Sequence, residues 1–330
     1  IIDTLDPPPS TLTSIGDYAF VDTPITGSVF LPSTLDLGVG VFYGTNITDV
    51  TIELETLGNT ADGYGMFENC GNIESVTLLD SCKNVYGPIF YDTRPDQSGD
   101  TAQFTLDLGS VVNIGAIGSD YGPFEYSGAI GNLNLPNTVE VIGDFAFSGS
   151  NGLTGALTIP DSVTTIGRYA FDDCSGFNGS LTISNSVTNI RDYAFKGCSD
   201  LTGSLTIPDS VETIGNFSFA YCYGFTGDLV IPDSVTNIGS SAFYMGSDAE
   251  SLLDGAIVIG DGVTSIGSDA FGYCVLANSL TLGNSIVSIG SKAFYSCSGL
   301  TSSLVIPNTV QIIGDYAFYS CSGRSEEHTS

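Results

Sequence analysis

A phenylalanine, usually preceded by alanine, returns along this chain at a nearly constant interval: Phe147, Phe171, Phe195, Phe219, Phe243, Phe271, Phe294 and Phe318, in steps of 24, 24, 24, 24, 28, 23 and 24. That interval is too long for a heptad or a single strand. It suits one supersecondary unit stacked on copies of itself, because a unit of this size cannot bury its own apolar side chains. Phe20, in the segment SIGDYAF, is an earlier anchor of the same kind, and Phe42, Phe67, Phe90 and Phe124 are degenerate candidates. The step of 34 from Phe90 to Phe124 places an insertion around Asp92–Thr101. The spacing predicts a repeat solenoid of about 13 coils with a period of about 23–24. It forms one domain over 1–323, with irregular coils at 21–131 and regular coils at 132–323.

One coil, Leu201–Gly224, shows how such a unit is built. Leu205 and Ile207 alternate with Ser204 and Thr206, the period-2 pattern of a short strand with one buried face. Pro208-Asp209-Ser210 then ends the strand in a turn, and Val211 and Ile214 return apolar bulk to the interior. Gly215 suits a left-handed or tightly bent backbone. The position after this glycine carries Asp17, Asp144, Arg168, Asp192, Asn216, Ser240, Ser268, Ser291 and Asp315 in successive regular coils, and all but Arg168 can accept a hydrogen bond from a free helical N–H. This predicts a short helical or 3₁₀ segment starting there, with Phe219 and Cys222 on its buried side at i, i+3. The expected fold is leucine-rich-repeat-like in period, with a parallel β-sheet on one wall and short helical or 3₁₀ segments on the other.

These segments resemble the BspA-type leucine-rich repeat family. The resemblance is carried by LTIPDSVTTIGRYAFDDC (157–174), LTIPDSVETIGNFSFAYC (205–222) and LVIPDSVTNIGSSAFYMG (229–246). It is strong over Asn132–Gly323, recognisable at Ser14–Phe20 and weak over 21–131. Arg191 in a glycine slot, Gly246 in a cysteine slot and the longer loop Ser247–Gly255 depart from the pattern. The resemblance implies a parallel-sheet solenoid, extracellular or at the cell surface of a microbe, with adhesive or other protein-binding roles and no catalytic motif.

Composition narrows the function classes. The chain of 330 residues carries 7 Lys+Arg against 37 Asp+Glu, a formal charge of -30. That field repels phosphate backbones, so nucleic acid is not an expected partner. No apolar run approaches the ~18 residues of a membrane span. Ile1–Ser10 lacks the basic and apolar regions of an intact signal peptide. Arg324–Ser330 (RSEEHTS) resembles the translation of a short-read sequencing adapter and is read as a non-native tail at 324–330. The sole histidine, His328, lies in that tail.

With no histidine in the body there is no triad or imidazole base, and G-x-S-x-G and H-E-x-x-H are absent. No catalytic residue, cofactor or metal is therefore assigned. Cys70, Cys174, Cys198, Cys222, Cys274, Cys297 and Cys321 each follow their anchor phenylalanine by three positions, and Cys82 is the exception. Ser150 and Gly246 share the slot, which favours a ladder of buried thiols over disulfides or zinc. The insertion Asp92–Asp100 gathers three carboxylates around Arg94, and a solvated loop is favoured there over calcium.

The solvent-facing strand positions read Ala156/Thr158, Ser180/Thr182, Ser204/Thr206, Asp228/Val230, Ala256/Val258, Ser279/Thr281 and Ser303/Val305. They form two ladders of small side chains. Close stacking and β-propensity select such residues by themselves, and a binding platform would use them too. The candidate binding residues are Thr158, Ser180, Thr182, Ser204, Thr206, Asp228, Ser279, Thr281 and Ser303. The expected function is non-catalytic recognition or adhesion, with a host or neighbouring-cell protein or polysaccharide bound on the sheet face. The alternatives are a structural spacer displaying another domain and an accessory region of a larger surface enzyme.

Overall fold

A computed structural model describes residues 8, 9, 11–58, 65–93, 103–247 and 252–321. The tail at 324–330 and most of the insertion, 94–102, lie outside these residues. The chain forms two compact units, Ile1–Gly155 with Pro160–Gly176, and Ala156–Ile159 with Phe177–Ser330.

Each unit is a solenoid of parallel strands. In the first, Thr26–Leu31, Asn46–Ile52, Ser75–Leu78, Phe104–Asp107, Ala129–Asn132 and Leu153–Thr154 pair in chain order. A second ladder of short strands runs through Thr56–Leu57, Asn84–Val85, Asn113–Ile114, Val141–Ile142 and Thr165–Ile166. In the second unit the first ladder contains Leu157–Thr158 with Leu181–Thr182, and Leu229–Ile231, Ala256–Ile259 and Ser279–Thr281. Its second ladder is Asn189–Ile190, Thr213–Ile214, Asn237–Ile238, Ser265–Ile266, Ser288–Ile289 and Ile312–Ile313. The second ladder forms where sequence reading placed only an apolar return to the interior. Ile214 is buried there, and its short strand is long enough to bond both neighbouring coils.

Within each unit the anchor phenylalanines form a column of nearly parallel rings. Phe20, Phe42, Phe67, Phe90, Phe124, Phe147 and Phe171 stack in the first unit with centroids 5.2–5.6 Å apart and planes within 8°. Phe195, Phe219, Phe243, Phe271, Phe294 and Phe318 stack in the second at 5.2–5.4 Å and within 9°. Such offset stacking is the preferred parallel geometry of aromatic pairs. The degenerate anchors Phe42, Phe67, Phe90 and Phe124 are thus true coil centres. The long step between Phe90 and Phe124 leaves their rings only 5.5 Å apart, so the insertion adds no separation between their coils.

The wall opposite the strands differs from expectation: among the described residues it contains no helix. It is a run of turns in which alternate N–H groups leave the coil. Phe217, Phe219 and Tyr221 donate backbone bonds to Ser240, Ala242 and Tyr244 of the next coil at 2.8–2.9 Å. Ala220 and Cys222, between and after them, close local turns onto Phe217 and Phe219. Positive φ makes the alternation possible, and it falls on Phe217 (54°) and Tyr221 (62°) rather than on glycine. A left-handed aromatic residue costs on the order of 1–3 kcal/mol and persists only where surrounding bonds fix it. Here the bonds to the next coil do so. The i, i+3 spacing of Phe219 and Cys222 is real, but tight turns supply it.

The capping slot is corrected in the same way. Asp192 Oδ1 accepts from Asn216 N at 2.7 Å, and Asn216 Oδ1 accepts from Ser240 N at 2.8 Å. In the first unit Asp144 Oδ1 accepts from Arg168 N at 2.8 Å. Each side chain brackets the following coil instead of capping its own helix. Gly215 is needed for close approach, not for a left-handed φ: a Cβ there would lie 2.5 Å from Asp192 N and 2.6 Å from Arg191 C.

Candidate functional site

All nine sequence-derived candidates lie in the second unit. Thr158, Ser180, Thr182, Ser204, Thr206, Asp228, Thr281 and Ser303 are exposed, and Ser279 is half-buried. The strand residues between them, Leu157, Leu181, Leu205, Leu229, Ile257 and Leu280, point into the core. Alternation thus works as read, because a strand sends successive side chains to opposite faces.

Register brings some candidates together. Thr158 pairs with Thr182. Thr206 bridges to Val230, which pairs with Val258, which pairs with Thr281. Ser279 pairs with Ala256. Ser303 does not join: its segment forms no strand, and Leu304, Val305 and Ile306 beside it are 39%, 74% and 37% exposed. The expected ladder stops at Thr281.

Asp228 has a structural task as well. Its Oδ1 accepts from Ala256 N at 2.8 Å, so the one charged member of the platform also fixes the next strand. Asp233 does the same in the post-strand turn, accepting from Asp261 N at 2.7 Å. A shallow groove of about 610 Å³ lies along this part of the sheet, lined by Ser204, Thr206, Asp209, Asp228, Val230 and Asp233 among others. Its lining includes three carboxylates, Asp209, Asp228 and Asp233, and no basic residue. Among the described residues no group of three His, Cys, Asp or Glu is placed to hold a metal ion.

The thiols belong to the frame. All eight cysteines are free, and all but the half-buried Cys321 are buried. Cys222 Sγ donates to Phe195 O at 3.0 Å, Cys174 to Phe147 O at 2.9 Å, Cys70 to Phe42 O at 3.0 Å and Cys297 to Phe271 O at 3.1 Å. Ser150 makes the same bond to Phe124 O at 2.6 Å, which explains why serine shares the slot. Burial pushes the Cys70 thiol up to about 11, and those of Cys174 and Cys222 higher still. A thiol so far from ionisation is a poor nucleophile or metal ligand.

Two features of the turn wall escaped sequence reading. In the first unit Glu125 is buried and accepts from Gly122 N at 3.2 Å. Desolvation raises its carboxyl to about 7 against that bond, and the nearby Asp172 charge adds to the rise. In the second unit Tyr221, Tyr244, Tyr273, Tyr295 and Tyr319 form a continuous strip, each ring 5.2–5.6 Å from the next. The signal was present as tyrosine intervals of 23, 29, 22 and 24, but the rings move between the first and second positions after the anchor and so break the column alignment.

Comparison with known proteins agrees with this geometry. The model of the BspA type leucine rich repeat region matches in six copies, over residues 5–95, 119–252 and 254–328. A leucine-rich repeat protein from Bacteroides ovatus superposes with a TM-score of 0.59 at 22% identity, over 94% of this chain and 80% of that one. A leucine rich cell surface protein from Faecalibacterium prausnitzii gives 0.53 at 23%, over 95% and 82%. A leucine-rich repeat protein from Eubacterium ventriosum gives 0.51 at 22%, over 97% and 77%. No curated protein matches the sequence. The family model spans most of the chain, so this chain belongs to the BspA-type leucine-rich repeat family.

Proposed function

We propose that the protein is a non-catalytic recognition or adhesion module at a bacterial cell surface, and that it binds a protein or polysaccharide through the sheet face of the second unit. The observation that carries this reading is the exposed array Thr158–Thr182 and Thr206–Val230–Val258–Thr281, with the groove along it. Small side chains on paired strands make a shallow surface, which suits an extended polymer better than a small molecule that needs a deep pocket. The protein from Faecalibacterium prausnitzii is named as a cell surface protein, which supports the location. The non-catalytic part rests on a body without histidine and on carboxylates such as Asp228 and Asp233 that are engaged in bracing coils.

Contacts to each coil are expected to be weak, so affinity should accumulate over several coils. The test places arginine singly at Thr182, Thr206 and Thr281 and screens wild type and variants against arrays of host proteins and glycans. A ligand bound by wild type should lose affinity in at least one variant. Equal binding by all three variants would remove the sheet face from consideration. The spacer reading would gain if no ligand is bound at all.

A further inference from the structure

The tyrosine strip of the second unit is continuous from Tyr221 to Tyr319. Tyr221 and Tyr273 stand two positions after their anchors, while Tyr244, Tyr295 and Tyr319 stand one position after theirs. A ring is kept on the strip in each of these coils although the backbone position supplying it changes. Tyr319 is 53% exposed, and Tyr221, Tyr244, Tyr273 and Tyr295 are half-buried, each lying on the turn wall away from the phenylalanine column. Tyr221–Tyr244 and Tyr244–Tyr273 meet edge to face at 88°, and Tyr273–Tyr295 at 59°. Tyr295–Tyr319 stack at 14°, but the other three contacts are crossed, so the strip as a whole is no flat platform of coplanar rings for a sugar chain. Crossed rings instead offer separate electron-rich faces.

A cation already occupies one of them. Lys292 Nζ lies 5.7 Å from the Tyr295 centroid. Its charge also acts on Asp269, whose carboxyl burial raises and Lys292 pulls back. Between residues 197 and 321 Lys292 is the sole basic residue, against eleven Asp and Glu. This stretch of the chain is thus strongly acidic, and a ring face with a carboxylate such as Asp269 near the cation upon it is a site for a primary ammonium or guanidinium group.

We propose that the strip Tyr221, Tyr244, Tyr273, Tyr295 and Tyr319 is a docking surface for a lysine- or arginine-rich polypeptide, whose cations sit on ring faces as Lys292 sits on Tyr295. The acidic field steers such a chain toward the protein, and the rings fix where it settles. Several weak cation–π contacts in a row give a useful affinity only together. This surface is separate from the sheet face, so failure of either leaves the other standing.

The probe is a fluorescent octa-arginine peptide, titrated by anisotropy at 150 mM salt, with octa-glutamate and cellohexaose as comparators. Any strongly acidic protein attracts octa-arginine, so the deciding readout is the difference between Leu and Phe variants, which carry the same charge. Tyr244→Leu, Tyr273→Leu and Tyr319→Leu should each weaken binding about three-fold or more, and the triple variant at least tenfold. The corresponding Phe variants keep the ring and should stay within twofold of wild type. Tyr319 is largely exposed and its replacement does not threaten folding. Leu variants that bind octa-arginine as wild type does would overturn the proposal. So would loss of cellohexaose binding in the Leu variants with octa-arginine unaffected, which would make the strip a glycan site.

Discussion

The thiol of Cys222 donates to the backbone carbonyl of Phe195, one coil earlier, at 3.0 Å. That carbonyl lies in the turn wall, where alternate N–H groups are committed to the next coil, and the sulfur reaches it from the stacked neighbour. The cysteine ladder therefore bonds coil to coil, which a small apolar filler would not do.

Cys222→Ala should leave the Phe195 carbonyl with only the local bond from Cys198 N, at 3.3 Å, and lose roughly 0.5–1.5 kcal/mol. Cys222→Ser should recover most of this, as Ser150 does naturally against Phe124. Urea titration of the two variants measures the difference, and equal losses would mean that volume, not the bond, sets the slot. In the folded wild type Cys198 and Cys222, both fully buried, should react with a thiol reagent only after denaturant is added.

Phe219→Ala should cost about 3–5 kcal/mol, because its ring is buried between Phe195 and Phe243 and a cavity would open on both sides. Ser204→Ala, on the exposed strand face, should stay within about ±0.5 kcal/mol. Similar urea midpoints for the two variants would contradict the register given above.

Gly215→Ala should destabilise although its φ is ordinary, since the new Cβ would press on the backbone of Arg191 and Asp192. A loss of about 1–3 kcal/mol is expected for overpacking against atoms that cannot rotate away. An unchanged melting temperature would show that the coils can separate at that point at no cost.

Glu125 makes the first unit sensitive to pH. An unfolded glutamate titrates near 4.3, whereas the buried carboxyl titrates at about 7. Between these values the folded chain holds a proton that the unfolded chain has lost. Its contribution is therefore fully present below about pH 4.3 and is lost as pH rises through about 7. The wild type should melt lower at pH 8 than at pH 5.5. Glu125→Gln should reduce that difference and raise the melting temperature at pH 8. Acidification also relieves the overall negative charge, so the comparison between the two proteins carries the test. Parallel pH profiles would refute it.

The core was legible in the sequence down to individual rings. Phe42, Phe67, Phe90 and Phe124 could be placed without a clean consensus because an offset stack needs one phenylalanine per coil and little else. The turn wall was not legible to the same degree. A polar residue after Gly215 followed by Phe219 and Cys222 is a pattern that a capped helix and a left-handed turn share. What separates them is whether the N–H of Phe217 bonds within its coil or to Ser240, and that depends on the neighbour rather than on the local residues. The Asp and Asn side chains were recognised as acceptors, but their donors belong to the following coil. The tyrosine strip stayed hidden because its members do not share a column in the repeat alignment. The alternation that exposes Thr182, Thr206 and Thr281 followed from the strand period alone.

The coil-to-coil bonds also determine how each unit would bear a load. Backbone bonds from Phe217 to Ser240 and Phe219 to Ala242, and side-chain brackets such as Asn216 to Ser240, all run in the stacking direction. Pulled along that direction from one end, a unit presents these bonds as successive rows in series, so the tension acts on one row at a time. It would peel coil by coil and would not shear as a block. Each coil would release roughly 80 Å of chain, at about 3.3–3.6 Å per extended residue. A tether built this way lengthens in equal steps under a sustained pull while the coils not yet reached remain folded.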